Sequence, residues 1–197
     1  MGIFSNPYSE RKKVMIDKDK ALYGRDEAMV ISGIHFVKNN SIVGPFDEKY
    51  ETAYFALGCY WGAEKLFWKI DGVYTTAVGF QGGYTKNPTY KESCGGQTGH
   101  AETVMVVFDP ALISYENLAI TFFEAHDPTQ FMGQGNYIGT EYRSAIFPTS
   151  EEQFDTAMKI KDSYGKTLIE KGLSEITTEI YALPTPPFYY AEEEHQQ

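Results

Sequence analysis

Cysteine is nearly absent: Cys59 and Cys94 are the only two in 197 residues. Two thiols cannot make the disulfide framework of a small secreted domain. Each therefore needs local support before chemistry is assigned to it, the default being a small buried hydrophobe. Basic residues are also scarce. Lys and Arg total 17 against 27 Asp and Glu, a formal net charge of -10, and so acidic a surface argues against nucleic acid and anionic membrane as partners. No apolar run is long enough to span a bilayer, and the opening MGIFSNPYSERKKV has no apolar signal-peptide core. Gly2 invites myristoylation, yet Asn6 stands where Ser or Thr is required. The expectation is a soluble, cytoplasmic protein, in a reducing compartment that suits a working thiol.

Metal-ligand spacing is missing too. His35, His100, His126 and His195 are scattered, and His100 two residues before Glu102 is a weak hint that a structural histidine explains as well. GFQGGYT is rich in glycine but lacks the spacing of a phosphate-binding or dinucleotide loop. No metal and no cofactor are expected. What the chain holds in quantity is apolar and aromatic: 42% hydrophobic residues, with 15 Tyr and 13 Phe. That is enough for one domain with a substantial core and an aromatic-lined pocket.

Residues 1–50 are polar and irregular, with turn pairs Asn6-Pro7 and Gly44-Pro45, and read as an extended arm packed on a single catalytic domain of residues 51–197. Thr52–Leu57 is a short apolar run ending at Gly58, a buried strand. Ala63, Leu66, Phe67 and Ile70 recur at helical spacing up to Gly72. Val73–Phe80 and Ala101–Phe108 read as strands, Leu118, Phe122 and Phe123 suit a helix capped by Ser114, and Tyr142–Phe147 is a strand ended by Pro148. Ser150 with Gln153 opens a helix that stops near Gly172, and Ile176–Leu183 is a late strand before a Pro-rich tail. The order β-α-β-β-α-β, then helix and strand, predicts an α+β fold with a ferredoxin-like core. Two long loops, 81–99 and 127–140, fall outside that core and are expected to be functional.

Cys59 lies in GCYWG, after a strand and before a helix. A sulfur there meets free N–H groups and the positive end of the helix dipole, which favour thiolate. Gly58 and Gly62 would permit a tight turn and close backbone approach. Tyr60 and Trp61 are adjacent, so both cannot face one interior, and at least one is free to line an apolar pocket. Glu102 begins a strand on one face with Val104, Val106 and Phe108. A carboxyl in such company is either a solvated strand end or a desolvated acid that stays protonated near neutral pH.

Six motifs in register, GCYWGAEKLFW, GGYTKNPTYKESCGGQTGHAE, HDPTQ, QGN, GTEYRSAIF and FYYAEEEHQQ, resemble the A-type methionine sulfoxide reductases, the peptide-methionine (S)-S-oxide reductases, from about residue 52 onward. The resemblance implies that Cys59 is the nucleophile, that Glu102 protonates the sulfoxide oxygen, and that Tyr90 and Tyr142 hydrogen-bond it. It also implies that Tyr60 and Trp61 cradle the substrate methyl. The activity implied is thiol-dependent reduction of methionine S-sulfoxide, free or in peptides and proteins, through a cysteine sulfenic acid, a repair of oxidative damage. Three departures stand out. The family commonly has Phe at the Tyr60 position. Tyr137 stands in QGNY where the family has an Asp that contributes a polar contact at the pocket. No cysteine follows Cys94, whereas many relatives carry recycling cysteines near the C-terminus. An external thiol, whether thioredoxin, glutaredoxin or glutathione, is then the expected reductant, with Cys94 as the competing resolver. Two other functions compete: a hydrolase pairing Cys59 with a histidine, and a non-catalytic binder of oxidised methionine disabled by Tyr137.

Overall fold

Alternation of apolar residues along three strands decides the architecture. In the computed structural model, which describes residues 7–197, the elements in chain order are α1 (Pro7–Lys12), β1 (Glu51–Leu57), α2 (Tyr60–Trp68), β2 (Val73–Gln81), α3 (Tyr90–Cys94), β3 (Ala101–Phe108) and α4 (Tyr115–Ala125). Then come β4 (Gly133–Gln134), β5 (Tyr137–Ile138), β6 (Ser144–Ile146), α5 (Glu151–Glu170), β7 (Glu179–Ile180) and β8 (Tyr189–Tyr190). Gly2 and Asn6, which bear on myristoylation, lie outside the described residues.

One mixed α/β layer arrangement results. Six strands form a sheet in the order β7-β6-β1-β3-β2-β8, antiparallel throughout except for the β6–β7 pair. Ala53, Phe55 and Leu57 of β1 join Val104, Val106 and Phe108 of β3 on one face, against Phe67 of α2, Leu118 and Phe122 of α4 and Ala157 of α5. Phe55 is the hub, its ring stacked on Phe67, Phe122 and Tyr115. The intervening residues, among them Ala77, Met105 and Val107, face the other way and are covered by Ile42 and by partly buried Ile31, Phe46, Phe188 and Tyr190. The arm before β1 and the segment around β8 thus close the face that the helices leave open.

Several boundaries differ from the sequence reading, each for a physical reason. The 81–99 loop contains helix α3, whose Thr89 caps Glu92 N–H while the Glu92 side chain caps Thr89, a complete capping box. The 127–140 loop contains the β4–β5 hairpin. Tyr142 is not in a strand: it ends a 3-10 turn, Thr140–Tyr142, and only Ser144–Ile146 pairs with β1. The late strand shrinks to Glu179–Ile180 because only Ala145 and Ile146 offer it partners. The Pro-rich tail supplies an edge strand, β8, on Gly79 and Phe80. The arm is mostly irregular but begins with α1.

Phe55→Ala should lower unfolding stability by about 3–5 kcal/mol, since it empties the contact between the sheet and two helices. Urea unfolding measures it, and a loss below about 1 kcal/mol would show that the hub is elsewhere.

Candidate active site

The site grows from the turn between β1 and α2. Gly58 takes φ +99°, and a Cβ there would come within 2.7 Å of Gln134 Cβ, so only glycine lets the chain reverse against the β4–β5 hairpin. Cys59 is then the N-cap residue of α2. Its sulfur is half-buried and feels the N–H groups of Trp61 and Gly62, although it closes no capping hydrogen bond. Burial pushes the Cys59 thiol up, the two N–H groups pull it down, and the nearby Glu102 carboxylate pushes it up again. The helix start therefore acts as expected but does not win against burial. Gly62 is not needed for close approach: a Cβ there would meet nothing within 4 Å.

Glu102 is only 2% exposed and lies across from Phe80 in the β2–β3 register. Its Oε2 accepts the Tyr60 N–H at 2.9 Å. Burial raises its pKa to about 8 in spite of that bond, with help from the charge of Glu141. Near neutral pH it is mostly a neutral acid a few ångströms from the start of the cysteine-bearing helix, the second of the two readings the alternation left open. Glu141, almost fully buried beside Tyr142, is an electrostatic contributor that sequence reasoning missed.

Tyr90 and Tyr142 come from separate elements and converge. Tyr90 opens α3, whose capping-box Glu92 is tied to Arg25 at 2.7 Å, and its own N–H is accepted by both Glu192 oxygens at 2.9 and 3.2 Å. Tyr142 is set by buried Arg143, which donates to Thr140 O, the Glu179 carboxylate and the Tyr181 hydroxyl. Both tyrosine side chains lie close enough to the Cys94 thiol to perturb its ionisation. The neighbouring Cys94 thiol and burial raise the Tyr90 pKa, and burial together with Glu102 raises that of Tyr142, so both are neutral donors. Cys94 is the last residue of helix α3, near both tyrosines.

Tyr60 and Trp61 part company as their adjacency required. Tyr60 is buried, with its hydroxyl 3.0 Å from His195 Nδ1, whereas Trp61 is 50% exposed. Tyr137 is 53% exposed, its ring 5.2 Å from that of Tyr142. It lines a cleft of about 470 Å³ together with Cys59, Leu57, Ala63, Leu66 and His126. His126 shares this cleft with the thiol, but its nitrogens are occupied by Phe122 O and Ser144 Oγ, each at 2.7 Å, and burial lowers its pKa to about 4. It is no base for Cys59. His100 is likewise committed, to Gly83 N–H and Thr85 O.

Residues 51–197 match the family model described as peptide methionine sulfoxide reductase. The mitochondrial peptide methionine sulfoxide reductase of Bos taurus is 54% identical over 93% of this chain and 78% of its own length. Peptide methionine sulfoxide reductase MsrA 1 of Synechocystis is 52% identical over 95% of this chain and 83% of its own. Among solved structures, methionine sulfoxide reductase A of Corynebacterium diphtheriae aligns with a TM-score of 0.86 at 43% identity, covering 93% of this chain and 89% of that one.

The raised pKa of Glu102 has a consequence for stability. The folded protein keeps this proton up to about pH 8, whereas the unfolded chain releases it near 4.5. Its contribution is therefore fully present below 4.5 and lost as pH rises through about 8. Glu102→Gln, which cannot ionise, should be more stable than the parent by an amount that grows between those limits and levels off above, reaching a few kcal/mol (on the order of 3). Thermal unfolding at acid, neutral and alkaline pH measures the gap, and a gap independent of pH would refute the assignment.

Proposed function

The chain belongs to the peptide methionine sulfoxide reductase family and reduces methionine sulfoxide at the expense of thiols, and we propose that Cys59 and Glu102 carry the reaction as nucleophile and acid. The observation that carries this reading is the Tyr60 N–H to Glu102 bond of 2.9 Å, which ties a largely protonated carboxyl to the residue next to the thiol. The sulfoxide oxygen is a poor leaving group until it is protonated. Glu102 gives it a proton, and Tyr90 and Tyr142 donate hydrogen bonds to it as charge develops. Cys59 sulfur attacks the sulfoxide sulfur and forms a sulfur–sulfur bond. The protonated oxygen then passes to Cys59 as the sulfur–oxygen bond and the new sulfur–sulfur bond both break, leaving methionine and Cys59 sulfenic acid. Methionine sulfur gains the two electrons that Cys59 loses, and the proton of the Cys59 thiol restores neutral Glu102. Its neutrality also removes the negative charge that would otherwise oppose formation of the Cys59 thiolate.

Tyr60 and Trp61 supply the apolar wall for the substrate methyl, and Tyr137 forms the outer edge of the pocket. Tyr137 lies outside the Cys59–Glu102 pair, so the reading as a non-catalytic binder is not favoured. The specific substrate we propose is the S epimer, in oxidised peptides and proteins and as the free amino acid, which makes the chain a repair enzyme of oxidative stress. A second thiol then attacks the sulfenic acid, releasing water and leaving a mixed disulfide that a further thiol resolves. Yeast Mxr1, 34% identical in its reduced form, is also solved in complex with Trx2. A thioredoxin is the reductant we favour over glutaredoxin or glutathione, acting in a reducing compartment such as the cytoplasm, although the bovine relative is named mitochondrial. No helix among the described residues is long and apolar enough to cross a membrane. The catalytic unit we propose is residues 51–197, with residues 1–50 as its covering arm. A ferredoxin-like description of its core is supported by the antiparallel order β6-β1-β3-β2, with α2 and α4 as the two crossovers.

Single-turnover conversion of an S-sulfoxide peptide to its methionine form tests the roles. Cys59→Ser should fall to background, Glu102→Gln should slow the step by about 10²- to 10⁴-fold, and Tyr90→Phe or Tyr142→Phe by about tenfold each. After one turnover without reductant, mass spectrometry should find a dimedone adduct on Cys59. A Cys59–Cys94 disulfide in its place would assign resolution to Cys94 and overturn the external-thiol step.

A further inference from the structure

His195 lies 135 positions after Tyr60, yet its ring is lodged among three of the side chains assigned to the substrate site. Its Nδ1 is 3.0 Å from the Tyr60 hydroxyl. Its ring stacks on Trp61, with centroids 5.5 Å apart and planes 24° from parallel. It also packs against Tyr90 at 4.4 Å. We propose that His195 is a positioning residue for sulfoxide reduction, holding Tyr60, Trp61 and Tyr90 in the geometry that receives the substrate. The proposal rests on the assignment of those three residues to the site.

The physical case has three parts. First, these side chains need an external constraint. Trp61 is half exposed, so packing alone does not select its rotamer, and a parallel ring laid against the indole does. The buried Tyr60 hydroxyl needs a hydrogen-bond partner, which His195 provides. Second, His195 is itself held from both sides. Gln196 exchanges two hydrogen bonds with the Val78 backbone, at 2.9 Å each. Gln197 binds both oxygens of the fully buried Glu64 through its N–H and side-chain amide. Glu64 is one helical turn after Tyr60, so helix α2 presents both residues to the same segment. Third, the same segment reaches Tyr90 again through Glu192, which accepts the Tyr90 N–H. The stretch from Glu192 to Gln197 therefore links the cysteine-bearing helix α2 to α3 and sets their aromatic side chains against each other.

The test is single-turnover reduction of a methionine S-sulfoxide peptide over a range of concentrations, with folding of each variant checked by thermal unfolding. His195→Ala should raise the half-saturating sulfoxide concentration and slow the maximal rate, lowering their ratio by roughly tenfold or more. Simple destabilisation would instead reduce the active fraction at unchanged half-saturation. His195→Phe keeps a ring but no hydrogen-bonding nitrogen and should lose only about three- to fivefold, a partial rescue. Combined with Tyr60→Phe, it should lose less than the product of the two separate effects, since both remove the same bond. Trp61→Ala and Tyr90→Phe serve as controls. If they are impaired while His195→Ala is saturated and turned over like the parent, or if the Tyr60 and His195 effects multiply independently, positioning by His195 is refuted and the site stands. If the controls are themselves unimpaired, the site assignment falls, and the proposal with it.

Discussion

One hydrogen bond organises this site: the N–H of Tyr60 to the carboxyl of Glu102. It satisfies one of the free donors at the start of α2, fixes the carboxyl inside the sheet, and sets the distance from the acid to the neighbouring cysteine. Two opposed effects meet at this atom pair. The bond favours the ionised carboxylate, while burial favours the neutral acid, and a pKa of about 8 shows which prevails. The sharp turn at Gly58 and the depth of β3 in the core are the conditions for the bond, because both ends must arrive at the same place from different elements.

The thiol is less simply poised than its position at a helix start suggests. The N–H groups of Trp61 and Gly62 pull its pKa down, yet burial outweighs them. What relieves the opposition is the neighbour's protonation, since a neutral Glu102 exerts no repulsion on a developing thiolate. Acid and nucleophile are thus coupled, and neither can be understood from its own surroundings alone.

Much of the frame was legible in the sequence because it depends on local periodicity. Alternation put Glu102 on the face of Val104, Val106 and Phe108, and that face is the one under the helices. Adjacency separated buried Tyr60 from exposed Trp61. Helix α3 was legible too, through the Thr89–Glu92 capping box, but glycines and prolines around it drew the reading towards a loop. Tyr142 read as the first residue of a strand ended by Pro148, whereas it ends a turn in which Arg143 reaches across to Thr140, Glu179 and Tyr181. The contributions of Glu141, Glu192 and His195 had no local signature, since each comes from a contact between segments far apart in the chain.

That separation gives the site a history as well as a shape. A ribosome adds roughly 5–20 residues per second, so the 135 positions between Tyr60 and His195 correspond to something on the order of ten seconds of synthesis. Throughout that interval a nascent chain carries Cys59 without the histidine that stacks over its aromatic neighbours. Newborn molecules therefore pass through a stage in which Tyr60 and Trp61 are made but the ring that packs against them is not, and the aromatic surroundings of the thiol are completed only when the segment around His195 has been synthesised and has folded back.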